Sequence, residues 1–207
     1  MPSDRLTMIR FCFGVLLLSG IMLQSGCAME RTTAESSVVD SYGTPDDELD
    51  FLDALERRRV VTNHDAIHAL LMAAGPEVQE DLPADYESRV NRARQRGWVR
   101  EEADLPPNQS ATIGMIAVAV CDLLEIKGGL TMRVLGPSPR YATRELVFRQ
   151  ILPRRTDNQS MTGLEFIDLL SRVQERMDVI RARRAREARE VEEDRAATEV
   201  ARLDGAA

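Results

Sequence analysis

Two histidines one helical turn apart are the side chains best suited to chemistry in this chain. The stretch HDAIH runs from His64 to His68, and the 207-residue chain has no other histidine. Histidines at positions i and i+4 of a helix can share a zinc ion, and an acid beside the first one can act as the base. Asp65 stands in that position, so one function open to the chain is a zinc-dependent envelope hydrolase. A third ligand would have to be a carboxylate, and no spacing identifies one. We therefore assign no catalytic or metal-binding residue, and keep His64 and His68 as the alternative metal site.

Three arginines mark a second candidate site in the stretch KGGLTMRVLGPSPR. Arg133, Arg140 and Arg144 are close in sequence and could hold a phosphate or carboxylate, since guanidinium groups pair well with such anions. The alternative is a solvated connector. The preceding Gly128-Gly129 pair resembles a helix C-cap more than a phosphate cradle, because no Lys-Ser/Thr pair follows it. The segment LTMRVL is expected to run extended.

Composition favours helices and argues against nucleic acid as a partner. Apolar residues make up 43% of the chain but aromatic residues only 4%, so aliphatic side chains must build the core. The formal net charge is −7, which opposes binding to a polyanion. No motif implies a cofactor. Cys121 lies in the apolar run IAVAVCDLL and is expected to be a small buried hydrophobe.

The N-terminus has the form of a secretory signal. Arg5 and Arg10 precede the apolar run FCFGVLLLSGIML, and QSGC closes the segment. The end of this segment resembles the bacterial lipobox, except that Gln24 stands where the lipobox prefers Leu. The resemblance implies that residues 1–26 are removed and that Cys27 carries the lipid, with palmitate-type acyl chains anchoring the protein. The alternatives are ordinary signal cleavage nearby and a retained membrane anchor.

The anchor implies a location in the cell envelope. By analogy with lipoprotein sorting, Ala28 after the lipidated cysteine indicates the outer membrane, with the chain facing the periplasm. Residues 27–45 are polar and lack helical periodicity, so they are predicted to form a flexible tether.

A repeat with a period of 50 residues follows the tether. The stretches NQSAT and NQSMT end at Thr112 and Thr162, and Thr62 lies 50 residues upstream of the first. Each threonine precedes an apolar helical pattern, so all three are predicted to be helix N-caps. Asp65 and Glu165 lie three positions later, where a carboxylate can complete a capping box. A shorter, more polar helix and a hydrophobic link precede each cap.

The unit of helix, hydrophobic link, loop, threonine cap and helix resembles the surface-layer homology (SLH) domain. The clearest match is RGWVREEADLPPNQSATIGMIAVAVCDLLEI. The resemblance implies an all-α bundle of three helix-loop-helix repeats of about 50 residues over residues 46–176. The family's motif arginine, which helps to bind cell-wall polysaccharide, is replaced by Asn63, Ile113 and Gly163. A plain helical bundle with a similar pattern is the alternative.

Residues 177–207 are predicted to form a charged C-terminal helix or a disordered tail. Apolar residues spaced by three and four suggest a short coiled-coil seam, formed by Leu170, Val173, Met177 and Ile180. Beyond it, mixed charges are typical of a solvated helix with a partner-binding or self-association role. Together these features predict a noncatalytic membrane-anchored lipoprotein with a structural or interaction role near the cell wall. Its partners would be the membrane through the lipid anchor, and cell-wall polymer or envelope proteins.

Overall fold

The computed structural model describes residues 31–204, and over this range the all-α prediction is confirmed. No strand forms there, only two isolated bridges, Thr33 with Gln109 and Thr62 with Ser110. A short 3-10 turn, Pro45–Asp47, precedes the helices. The helices are α1 (Glu48–Glu56), α2 (Asn63–Ala73), α3 (Pro76–Gln79), α4 (Tyr86–Gln95), α5 (Ile113–Leu123), α6 (Leu130–Leu135), α7 (Pro139–Phe148) and α8 (Gly163–Asp204). All contacts discussed below lie in the compact unit that begins at Thr32.

Two helices, α2 and α5, form the centre of the core. Helix α5 is apolar on nearly every side, and its residues Ile113 to Cys121 are all buried. Helix α2 is as deeply buried, from Asn63 to Met72, although it carries four polar side chains. Around them, α7 packs on α5, α4 packs on α2, and α1 packs against α8. Burial of the aliphatic side chains of these helices stabilises the bundle, because each one removes apolar surface from water.

The chain segments before α2, α5 and α8 are joined to one another by backbone hydrogen bonds. The amide of Ala111 donates to Val61 O at 2.9 Å, and the amide of Val61 donates to Met161 O at 3.1 Å. The first residue of each helix then bonds to a neighbouring segment: Asn63 N to Gln109 O at 2.8 Å, Ile113 N to Gln159 O at 2.8 Å, and Gly163 N to Arg58 O at 2.9 Å. The helix starts are therefore held by partners far away in the sequence, which satisfy amides that a helix leaves free.

Gly163 marks the closest backbone approach among these segments. A Cβ atom added there would lie 1.6 Å from Leu55 O, at the end of α1. No residue but glycine fits without displacing one of the two backbones.

The segment LTMRVL corrects one expectation, because it forms helix α6 rather than an extended strand. Gly128, with a φ of 61°, turns the chain just before it. Met132 is buried against the core while Arg133 and Val134 are exposed. In an extended chain Met132 and Val134 would lie on the same face. In the helix Met132 is buried while Val134 stays exposed.

The prediction of a flexible tether over residues 27–45 is corrected at residues 32–39, which pack against the bundle. Ser37, Val38 and Val39 are buried, and the backbone of Thr32 and Ala34 bonds to the loop at residues 108–110. The adjacent valines supply apolar surface, and a carboxylate on α2 binds their amides, as described below. These long-range contacts offset the loss of chain entropy that ordering the segment requires.

Helix α8 continues from the bundle into the charged C-terminal region without a break. Its 42 residues span about 63 Å at about 1.5 Å per residue. Phe166, Leu169, Val173 and Met177 are buried, whereas every side chain described from Arg181 onward is exposed. An ion pair between Arg184 and Glu125 joins the helix to the end of α5. No helix among residues 31–204 is both long and apolar enough to cross a bilayer.

Candidate functional site

The HDAIH stretch lies at the start of α2, where it forms a buried polar cluster with Arg89 of α4. His64 Nε2 lies 2.8 Å from Arg89 Nη1, and His64 Nδ1 lies 3.5 Å from Asp40 Oδ1. Arginine can only donate, so Nε2 accepts and the ring proton resides on Nδ1, facing Asp40. Burial, and then the charge of Arg89, lower the pKa of His64 to about 4, although Asp40 acts in the opposite direction. His64 is therefore neutral at physiological pH.

His68 lies one turn further into the core and is fully buried. Its ring packs edge-on against Phe51, with ring centroids 4.8 Å apart. Neither ring nitrogen has a hydrogen-bond partner among the residues described. Burial is the main reason that the pKa of His68 falls to about 3, with smaller contributions from Arg89 and His64. This neutral ring acts as a core side chain.

Arg89 is the residue that holds the cluster together, and the sequence analysis did not single it out. Its side chain is 1% exposed, and burial lowers its pKa. Nε donates to Pro83 O at 2.7 Å and Nη2 donates to Gly43 O at 3.1 Å, in addition to the contact with His64. No carboxylate in the described part of the chain forms a salt bridge with it. The spacing Tyr86, Arg89, Ala93 places this arginine on the face of α4 that carries buried residues, and that spacing was the available signal.

Asp65 holds the N-terminal segment rather than completing a capping box. Its Oδ1 accepts from Val38 N at 2.7 Å and from Val39 N at 3.1 Å, and its Oδ2 accepts from the Thr62 hydroxyl at 2.8 Å. In a capping box the carboxylate would instead accept from the amide of Thr62. Burial raises the pKa of Asp65, against the hydrogen bonds, which lower it. The same carboxylate thus orders α2 and residues 37–39.

This arrangement suits neither metal binding nor proton transfer at neutral pH. The His64 nitrogen available to a metal already accepts from a buried guanidinium, and that positive charge would repel a zinc ion. Within residues 31–204 no group of three His, Cys, Asp or Glu side chains could hold a metal ion. A general base works best with a pKa near the working pH, and both histidines titrate well below it. The cluster can stabilise the fold and tie the N-terminal segment to α2 and α4.

The three threonines spaced 50 residues apart each lie directly before a helix. Thr62 Oγ1 accepts from Asp65 N at 3.1 Å, Thr112 Oγ1 from Met115 N at 3.2 Å, and Thr162 Oγ1 from Glu165 N at 3.3 Å. The third is a capping box, since Thr162 N donates to Glu165 Oε2 at 2.9 Å. Backbone hydrogen bonding is the main reason that the pKa of Glu165 is lowered.

The three arginines proposed as a ligand site lie on α6 and α7. Arg133 lies on α6, and Arg140 and Arg144 lie one turn apart on α7. All three side chains are exposed. None of them forms a hydrogen bond or ion pair with another described residue. They are available to an anion, and none of them lines either of the two pockets described next.

Two concave pockets occur elsewhere in the described chain. The larger, of about 400 Å³, lies between the end of α7 and the start of α8. Its floor is apolar, and its rim carries two ion pairs, Arg155 with Glu165 and Arg172 with Asp168. The smaller, of about 240 Å³, lies between α1, α2 and α8 and is lined mainly by Phe51, Leu52, Met72, Ile167 and Leu170. The histidines line neither pocket.

The chain has three cysteines, and Cys121 is the one that lies among the residues described. Cys27, the predicted lipidation site, lies outside the residues described. Cys121 is buried on α5, and burial raises the pKa of its thiol to about 12. This thiol is protonated at physiological pH and cannot act as a nucleophile.

Comparison with protein-family models, with curated proteins and with solved structures found no match to this chain.

Proposed function

We propose that this chain is a noncatalytic lipoprotein of the cell envelope, anchored through Cys27 and using its helical domain for a structural or interaction role near the cell wall. One observation carries the noncatalytic part: the only histidines of the chain belong to the core. His64 accepts from buried Arg89, and His68 packs against Phe51. The zinc-hydrolase alternative would require the metal to displace a guanidinium that also holds two backbone carbonyls.

The helical domain is best described as three helix-loop-helix repeats of about 50 residues. Three helix pairs, α1 with α2, α4 with α5 and α7 with α8, each place a threonine before the second helix. Two further hydrogen bonds support the repeat: His64 N donates to Pro107 O at 3.1 Å, and Gly114 N donates to Asp157 O at 2.8 Å. Each bond joins two residues that are 43 positions apart, and the second bond lies 50 residues, one repeat, after the first. The likeness to SLH domains is part of this proposal.

We do not propose for this chain the polysaccharide site that is usual in SLH domains. The three positions of the motif arginine hold Asn63, Ile113 and Gly163. Asn63 and Ile113 are fully buried, and Gly163 lies against the backbone of α1. A long cationic side chain does not fit any of these environments without rearrangement. A wall ligand, if polymeric and anionic, would instead use exposed arginines such as Arg133, Arg140 and Arg144.

The location follows from the N-terminal segment. The signal-like run and the QSGC ending support lipidation at Cys27, and two or three acyl chains hold a protein stably on a membrane. Ala28 after the anchor supports the outer membrane, with the domain facing the periplasm. Because residues 32–39 pack against the bundle, the proposed tether is shorter than residues 27–45.

A pair of cysteine variants tests the anchor. Cys27→Ala should remove the acyl mass from the mature chain and release the protein from the membrane fraction. Cys12→Ala is the matched control, because that cysteine lies in the segment to be removed, and it should leave lipidation unchanged. Mass spectrometry and membrane fractionation are the measurements. A native chain without acyl mass, or a Cys27→Ala chain that stays with the membrane, contradicts the proposal. Capture of the lipidated chain from envelope fractions tests the partner: wall polymer or envelope proteins should co-purify.

A further inference from the structure

The outer part of α8 presents a face with no partner in the described chain. We define the outer face of α8 by side chains spaced three and four apart: Val179, Ala182, Ala185, Arg186, Arg189, Glu192 and Glu193. All of them are exposed, Val179 by 66%. The side of α8 that contacts the bundle carries Met177, Ile180 and Arg184, which point roughly the opposite way around the helix. The outer face is therefore open to another molecule.

Charge is segregated along this part of the helix. Residues 181–189 contain five arginines and one glutamate, for a net charge of +4. Residues 190–199 contain five acids and one arginine, for a net charge of −4. Within the described part of the chain, the four charged side chains of the outer face make no hydrogen bond or ion pair. The ion pair within residues 181–193, Arg183 with Glu187, runs from arginine to glutamate, which is the less favourable order for an isolated helix.

We propose that the outer face of α8 binds the same face of a second copy of this chain in antiparallel orientation, about a dyad between Glu190 and Val191. This register places Arg189 directly opposite Glu192 of the second copy. Arg186 lies two residues, about 3 Å along the helix axis, from the level of Glu193 of the second copy, which its long side chain can reach. The dyad repeats both pairs, so four ion pairs form. The basic half of each helix meets the acidic half of the other.

Small side chains also lie on the outer face. Ala182 and Ala185 stand between Val179 and the charged positions, so two helices can approach each other closely there. A parallel pair would instead place arginine beside arginine and acid beside acid, and charges that flank a helix seam set orientation in this way. The inference depends on this face alone and not on the lipid anchor or the SLH resemblance.

Reversing the charges of the outer face, and then restoring the pairs, tests the proposal. The full chain is kept in detergent, and sedimentation equilibrium measures its dimer dissociation constant. The native chain should dimerise. Arg186→Glu with Arg189→Glu should raise the dimer dissociation constant at least about tenfold, because all four pairs become repulsive. Glu192→Arg with Glu193→Arg should do the same. The chain with all four substitutions should dimerise again, since every pair is restored with its signs exchanged. Arg195→Glu, which lies on the side of the helix turned away from the outer face, is the control and should have little effect.

Orientation is tested by cross-linking two variants that each carry one added cysteine, while the native Cys121 stays buried. An oxidised mixture of the Arg189→Cys and Glu192→Cys chains should form a disulfide between them faster than either chain does alone. A native chain that stays monomeric, a four-fold variant that fails to dimerise, or faster cross-linking within either single variant would overturn the proposal.

Discussion

Acid should destabilise this protein through its two buried histidines. The pKa of each is lower in the folded chain, about 4 for His64 and about 3 for His68, than the value of about 6.5 expected in the unfolded chain. Below pH 6.5 the unfolded chain therefore binds more protons than the folded chain. Stability from these groups is fully present above pH 6.5 and is lost as the pH falls toward the folded pKa values.

The size of the effect follows from the two pKa differences. Each histidine costs about 1.4 kcal/mol per pH unit below 6.5, so lowering the pH from 7.5 to 5.5 removes about 1.4 kcal/mol for each, or about 3 kcal/mol together. The chain has no other histidine to titrate in this range. The raised pKa of Asp65 acts in the opposite direction and makes the observed loss somewhat smaller.

Urea unfolding at the two pH values measures this loss. The single tryptophan, Trp98, is 3% exposed, so its fluorescence reports on the bundle rather than on the outer part of α8. His68→Leu should halve the loss to about 1.4 kcal/mol, because one titrating group is gone. At pH 7.5 this variant should be as stable as the native chain or more stable, since it removes two buried nitrogens that have no partner among the described residues.

Thr112→Ala serves as the control for the pH experiment, because it should lower the free energy of unfolding equally at both pH values. The reasoning is refuted if the native chain is equally stable at pH 7.5 and 5.5. It is refuted as well if His68→Leu keeps the full pH dependence.

Two further predictions concern the helix starts. Thr112→Ala should lower the free energy of unfolding by about 0.5–2 kcal/mol, because it removes the hydroxyl that caps α5. Thr112→Ser keeps this hydroxyl and should lower the free energy of unfolding clearly less. Equal losses for the two variants in urea unfolding would contradict the cap. Gly163→Ala should destabilise the chain by about 1–3 kcal/mol or more, because its Cβ would meet Leu55 O at 1.6 Å. Gly129→Ala, with no atom within 4 Å and an ordinary φ, is the matched control, and a similar melting temperature for both variants would show that the close approach is absent.

The sequence alone was enough to predict the elements that depend on near neighbours in the chain. A threonine cap binds an amide three residues later, so the starts of α2, α5 and α8 follow from Thr62, Thr112 and Thr162. The apolar patterns after these threonines predicted helices, although the polar side of α2 is buried as well. The N-terminal signal-like segment stays a prediction, because residues 1–30 lie outside the part of the chain that the structure describes.

Only the tertiary structure decided how distant polar groups are paired. Asp65 appeared to be a capping residue, yet its carboxylate binds the amides of Val38 and Val39, more than 25 residues away. Arg89 was not among the candidate site residues, yet it is buried beside His64 and bonds to the backbone at Gly43 and Pro83. A buried polar group must find a partner wherever the fold supplies one, and that partner is fixed by the packing of helices rather than by spacing along the chain. For this reason a metal-site motif in the sequence became part of the core in the structure.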